Sequence, residues 1–289
     1  MTGGHHEDLS DRGSVLAERL AAAGVLDPAD PMDAWLRLRA AEGSRATVVD
    51  LYELTAAPRG LAAHELPRPE RFALARQAMA HIWPGFSVTD GSDRPAAPIV
   101  VTDYDPAWPQ RYARWRSGIG AALGAAALSI EHVGSTSVPG LAAKPIVDIQ
   151  VSVADLGDEA RYVAQLEGAG LVLRSRDDLH RYFRPPAHES REVHVHVCAA
   201  GGQWERDHLL FRDYLRSDPA ACRRYSDAKR ANVRRWNDDG WAYTEAKTGV
   251  ILDILEQAGA WAEAAGWWPR GRPAGRPTAA PPPPEQLSR

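Results

Sequence analysis

From Ser14 the chain reads SVLAERLAAAGV, with apolar residues returning at helical spacing until Gly24, so a helix is predicted to stop there. The same period recurs in DPMDAWLRLRAAEG, where Asp30 is placed as N-cap, Pro31 at the first helical position and Gly43 as the stop. A third helix is predicted over ATVVDLYELTAA, before Pro58-Arg59-Gly60, and a fourth over PRPERFALARQAMAHIW, before Pro84-Gly85. The segment TDGSDRPAAP reads as a linker.

Beyond Pro98 the pattern changes to strands interleaved with helices. PIVVTDY predicts a strand and DPAWPQRYARWRSGIGAALG a helix; AALSIEHVG and PIVDIQVSV predict strands on either side of a Gly-Ser turn. DEARYVAQLEGAG is a helix stopped by Gly170, LVLRS a strand, and REVHVHVCA a strand of strict alternation. WERDHLLFRDYLRS, PAACRRYSDAKRANVRRW and YTEAKTGVILDILEQAGAWAEAAG predict three closing helices. This order implies an α+β domain, a mixed sheet with flanking helices, preceded by a small all-helical region. The expected division is residues 1–90 helical, 91–98 linker, 99–268 the α+β domain and 269–289 a tail. That tail, rich in proline and poor in large apolar residues, is expected to be disordered.

Composition narrows the function classes. With 25% charged residues and a net charge of −4, the chain offers no general attraction for nucleic acid or membranes. No stretch reaches the ~20 apolar residues of a membrane span, and the polar N-terminus lacks a signal-peptide core, so a cytoplasmic protein is expected. Cys198 and Cys222 form neither a disulfide framework nor a zinc-finger spacing and are expected to be reduced thiols. The His5-His6 pair falls in a segment expected to be disordered and is not taken as a metal site.

The candidate chemistry gathers in EHVGSTSVPGLAAKPIVDIQV, residues 131–151. Gly134 and Ser135 leave a strand end with free backbone N–H groups that can approach phosphate oxygens, and Ser135, Thr136 and Ser137 add hydroxyls. Lys144 supplies a cation. Asp148, a lone acid in an apolar run, needs a metal or a cationic partner to offset its burial; the alternative is an Asp148–Lys144 ion pair that only shapes the turn. In EVHVHV, His194 and His196 share one face of their strand. They are either polar residues on a solvated face, phosphate or proton carriers, or, if that strand neighbours Asp148, the partners of a single metal.

Between Arg212 and Arg235 stand eight Lys/Arg against three Asp. Arg223, Arg230 and Arg234 would share one helix face, opposite Tyr225, Ala228 and Trp236; that face is either solvated or a basic wall for a polyanion. Tyr243 and Lys247, four apart at a helix start, could add a stacking surface and a phosphate contact. Arg181 and Arg184 are expected in a loop before the His strand.

HVGSTSVPGLAAKPIVDIQV, with HVHV, LLFRDYLR and YTEAK in that order, resembles the GrpB family over roughly residues 100–265. The resemblance implies a nucleotidyltransferase-like fold, in a domain also found fused behind dephospho-CoA kinases. It puts Gly134, Ser135, Lys144 and Asp148 on the cleft motif and His194, His196, Arg212, Tyr243 and Lys247 on other motif positions. The superfamily pattern is hG[GS], a spacer, then Dh[DE]. Here Val133-Gly134-Ser135 is followed after 12 residues by Asp148-Ile149, but the second acid is replaced by Gln150. Two-metal phosphoryl chemistry then needs another acid in the cleft, such as Glu192 or Asp253. The kinase activity does not carry over, because no GxxxxGK[ST] loop is present.

These observations lead to the expectation of a protein that binds a phosphate-bearing ligand, a nucleotide with Mg²⁺, with nucleotidyl transfer left open by Gln150. Asp148, His194 and His196 are the candidate catalytic residues and Asp148 with His196 the candidate metal ligands. Gly134, Ser135, Thr136, Lys144, Arg212, Tyr243 and Lys247 are the candidate ligand contacts. The alternatives are a non-catalytic nucleotide- or coenzyme-A-binding accessory module, and a single-metal hydrolase on Asp148, His194 and His196. The expected partner is a nucleotide or other phosphorylated small molecule; a protein partner could dock on the N-terminal helices or the Pro-rich tail, whereas nucleic acid and membrane are not expected.

Overall fold

The computed structural model describes residues 7–25, 29–82, 87–88 and 98–269. Four helices open the chain: α1 (Glu7–Ala22), α2 (Pro31–Glu42), α3 (Val48–Ala56) and α4 (Arg68–Ile82). Their ends follow local chemistry. Asp30 caps α2 by accepting from the N–H groups of Met32 and Asp33, and Asp50 accepts from the Thr47 N–H at the start of α3. Gly24 and Gly43 take positive φ where α1 and α2 stop.

The remainder forms a six-stranded mixed sheet. Its strands are β1 (Ser87–Val88), β2 (Ser129–Val133), β3 (Val147–Val153), β4 (Val172–Arg176), β5 (His180–Arg184) and β6 (Val193–Ala199). They lie in the order β1-β4-β5-β6-β3-β2. Only β3 and β6 run parallel; the other neighbours are antiparallel. Six helices flank the sheet: α5 (Trp108–Leu123), α6 (Val163–Gly168), α7 (Gln203–Ser217), α8 (Pro219–Trp236), α9 (Gly240–Glu245) and α10 (Thr248–Ala265).

Alternation along β3 and β6 separates two faces. Ile149, Val151 and Val153 pack with Val193, Val195 and Val197 against Trp108, Ile119, Tyr162 and Leu166 in one core. Asp148, Gln150 and Ser152 lie on the opposite face with His194, His196 and Cys198, their register partners. A second core joins Val138 and Leu141 to Leu210, Tyr225, Ile251 and Leu255. A third is built mainly from α1 to α4, with Trp35, Leu38, Leu51 and Tyr52 at its centre, and it also takes in Trp236, Ala242 and Tyr243 from α8 and α9.

Several sequence expectations are corrected. Residues 98–104 make only an isolated bridge, Thr102 to Ala143, because Ile99 bonds instead to the carbonyl of Asn237. Arg181 and Arg184 lie in strand β5, which forms a hairpin with β4 and continues the sheet to β6. The long last helix is divided at Ala246–Lys247 into α9 and α10. Ser87–Val88, expected in the helical region, pairs with β4. The linker core, the tail from Arg270 and the His5-His6 pair lie outside the described residues. Cys198 and Cys222 are both free, and no helix among the described residues is long and apolar enough to cross a membrane.

Candidate functional site

Asp148 is the second residue of β3, at the end of the strand beside the Gly-Ser turn. Its antiparallel partner is Val133, and Gly134 follows with φ of +65°. A Cβ on residue 134 would fall 2.3 Å from Asp148 Oδ2, so glycine is required both by the backbone and by the carboxylate. Of the turn hydroxyls, Ser137 donates to the Gly134 carbonyl at 2.6 Å. Thr136 is fully buried and bonds His132 Nε2 at 3.0 Å. Ser135 keeps a half-buried position and interacts with Tyr225. The Thr136 hydroxyl, expected among the ligand contacts, is engaged by His132 of β2.

The parallel pairing sets Asp148 beside His194 and Gln150 beside His196. His194 Nδ1 lies 3.2 Å from Asp148 Oδ1 and His196 Nε2 3.9 Å from the same oxygen. One ligand atom from each of the three residues falls within 4.8 Å of the others. Arg191 Nε donates to His194 Nε2 at 2.9 Å. That nitrogen therefore carries no proton, and Nδ1–H is left to donate to Asp148. Burial pushes the His194 pKa down to about 3 against the pull of Asp148, so the ring is neutral. Burial also opposes the charge on Asp148, but side-chain hydrogen bonding from His194 and His196 outweighs it and holds the carboxyl well below its ordinary range. Asp148 retains 30% of its side-chain surface accessible, the opening of a cleft.

Lysines line the rest of this cleft. Lys144 Nζ and Lys247 Nζ stand 5.1 Å and 4.8 Å from the centre of the Tyr243 ring, and Lys229 Nζ 4.4 Å from that of Tyr225. Lys229 is only 2% exposed, and its ammonium has no hydrogen-bond partner among the described residues. Each of the three feels the field of Asp148, and Lys247 is coupled to both other lysines. Burial, reinforced by neighbouring cations, lowers Lys144 to about 8 and Lys247 to about 7. Burial moves Lys229 in the same direction, well below the ordinary lysine range. These are the only lysines in the sequence, three among 34 basic residues. Arginine serves everywhere else, and a compact, readily deprotonated ammonium is kept for this cleft.

The other expected residues divide. Arg212 is committed to the protein: it pairs with Glu131 at 2.8 Å and Asp213 at 2.7 Å and donates to the His132 carbonyl, bracing the end of β2. Arg223, Arg230 and Arg234 do share an exposed face, but Arg230 bonds Asp103. Neither candidate second acid belongs to the Asp148, His194 and His196 group. Glu192 accepts from the Trp115 indole and Asp253 pairs with Arg45. Gln150 is fully buried, with neither amide atom hydrogen-bonded among the described residues.

Sequence reasoning missed Lys229, which was grouped with a basic helix surface; the scarcity of lysine was the available signal. It also missed Tyr182, stacked on His196 and edge-on to His194, and the stack of His180, Trp204 and His208 behind them. The alternation in HRYFR, which faces His180 and Tyr182 to one side, was the cue there.

Comparison with known proteins covers the part of the chain that holds this cleft. The family model described as GrpB protein matches residues 98–257. A UPF0157 protein of Streptomyces coelicolor is 48% identical over 166 residues, 57% of this chain and 87% of that protein. A dephospho-CoA kinase of Mycolicibacterium paratuberculosis is 31% identical over 60% of this chain but only 49% of its own length. Among solved structures, the conserved protein GrpB from Enterococcus faecalis superposes with a TM-score of 0.51 at 32% identity, covering 56% of this chain and 99% of its own.

Proposed function

The chain belongs to the GrpB family, and from that premise we propose that its nucleotidyltransferase-like domain binds the phosphate groups of a nucleotide or similar phosphorylated small molecule together with one divalent cation. The observation that carries this is the convergence of every lysine in the chain on a cleft whose floor holds the single carboxylate of Asp148. Three amines with no carboxylate salt bridge among the described residues have their charge suppressed by burial until an anion arrives. Phosphate oxygens would complete them, and the Gly134–Ser135 turn brings backbone close to the same space.

For Mg²⁺ the donor set fits in part. A hard cation needs oxygen ligands, and one carboxylate together with ligand phosphates and water is an ordinary Mg²⁺ environment. Asp148 would hold it, and the ion would neutralise phosphate charge. His196 suits a softer ion such as Mn²⁺ better. The group of possible metal ligands found among the described residues, Asp148, His194 and His196, contains a single carboxylate, so we do not extend the proposal to two-metal nucleotidyl transfer.

The Asp148–His194–His196 grouping favours a second reading, a single-metal hydrolase. Arg191 weighs against it: while Arg191 donates to His194 Nε2, the proton on Nδ1 blocks the nitrogen that faces the other two ligands. A thermal-shift panel of nucleotides and coenzyme A precursors, with Mg²⁺, Mn²⁺ or Zn²⁺, separates the readings. Under the first, a probe at about 100 times its Kd adds about 2.7 kcal/mol, and Asp148→Asn and Lys247→Met lose the effect. Stabilisation by Zn²⁺ alone, lost in His194→Ala, would establish the second instead.

A further inference from the structure

Residues 7–82 lie outside the family match, yet they reach the cleft through one short helix. α9 has six residues, too few to persist without tertiary support. It begins at Asp239, whose carboxylate is divided between two tasks. Oδ1 accepts from the N–H groups of Trp241 and Ala242 and so caps the helix. Oδ2 accepts from Arg71 Nε of α4 at 3.1 Å. Arg71 is itself buried and held on all sides: it donates to Asp238 at 2.6 Å and to the carbonyls of His64 and Leu66, and it lies against the Trp236 ring. Four residues past the Asp239 cap, Tyr243 is 1% exposed and belongs to the core formed mainly by α1 to α4. Its ring is the one over which Lys144 and Lys247 stand.

We infer that the N-terminal helical region is a positioning element of the cleft: through Arg71, Asp239 and the packing around Tyr52 and Trp236 it fixes the Tyr243 ring, and with it the ammonium groups of Lys144 and Lys247. Lys229 provides an internal contrast, because its ring partner Tyr225 packs in the second core, with Leu210 and Ile251. The coupling is reciprocal by thermodynamic necessity, so a ligand that orders the lysines also tightens the docking of α1 to α4. This concerns the geometry of the cleft and holds whether or not the ligand there is a phosphate.

The chain's three lysines make the test direct. Lysine-selective ¹³C labelling gives three side-chain methylene environments in the full-length protein, each displaced by the ring it faces. In Arg71→Met the Lys144 and Lys247 signals should lose most of their ring-induced displacement, while Lys229 keeps its own. Asp239→Asn preserves the cap oxygen and removes the charge, so it carries the same test if Arg71→Met does not fold. Ile119→Val, in the core on the opposite face of the sheet, controls for general loss of stability and should leave all three signals in place. Unchanged Lys144 and Lys247 signals in the folded Arg71 or Asp239 variant would overturn the inference. Equal movement of all three signals, or the same movement in Ile119→Val, would also overturn it.

Discussion

Gly134 and Asp148 face each other across the β2–β3 ladder so closely that the carboxylate occupies the space a side chain at 134 would need, 2.3 Å from the Cβ position. The turn and the acid therefore form one unit. Gly134→Ala combines a strained positive φ with a displaced Asp148 and should cost about 1–3 kcal/mol. Denaturant unfolding measures the loss, and binding of any Mg²⁺-dependent ligand should fall with it. A variant as stable as wild type would show that the turn relaxes without Asp148.

The Arg191–His194 hydrogen bond predicts metal selectivity. Arg191→Met releases His194 Nε2, lets the ring exchange tautomers and frees Nδ1 to join Asp148 and His196. Zn²⁺ affinity measured by calorimetry should rise about tenfold, the scale on which outer-shell partners act. Unchanged or weaker Zn²⁺ binding would mean that Arg191 does not oppose metal capture.

Lys229 is buried, and its amine has no hydrogen-bond partner among the described residues. Lys229→Met keeps the stem and removes the amine, so the ligand-free protein should gain about 1–3 kcal/mol of stability while losing affinity for phosphate compounds. Thermal unfolding with and without ligand reads both effects. A destabilised variant would reveal a structural partner for the amine instead.

The pH dependence follows from groups whose folded pKa is depressed. Lys247 lies at about 7 and Lys144 at about 8, against an ordinary 10.5. From pH 7 to 10.5 the unfolded chain therefore holds protons that the folded chain has released, and stability rises with pH. His194, at about 3 against 6.5, contributes stability that is present above pH 6.5 and lost as pH falls toward 3. Urea unfolding of the ligand-free protein should give greater stability at pH 9 than at pH 7, by about 1–3 kcal/mol. The gain should shrink in a Lys144→Met/Lys247→Met double variant, leaving the part that the depressed Lys229 contributes. A flat profile in wild type would show both lysines charged in the folded protein at pH 9.

Much of the sheet was legible because strand period and glycine chemistry are local. HVHV placed His194 and His196 on one face, and the strand containing Asp148 did prove to be their neighbour. Asp30 and Gly43 marked the ends of α2. What escaped depended on distant partners. Arg212 reads as a free cation until Glu131, 81 residues away, is beside it. Arg71 and Asp239 are 168 residues apart, so a helical region read as a separate module contributes a buried ion pair to the rear of the cleft. The break between α9 and α10 left no mark in the apolar pattern, which continues through it.

The most direct test of a phosphate cleft centred on Asp148 is lysine-resolved NMR of the full chain during titration with ATP, tripolyphosphate and coenzyme A, each with and without Mg²⁺. At least one of these probes should move all three lysine signals together and saturably, and the Mg²⁺ dependence of that movement should disappear in Asp148→Asn. Lysine signals that stay in place under every probe, or that respond identically in Asp148→Asn, would contradict it.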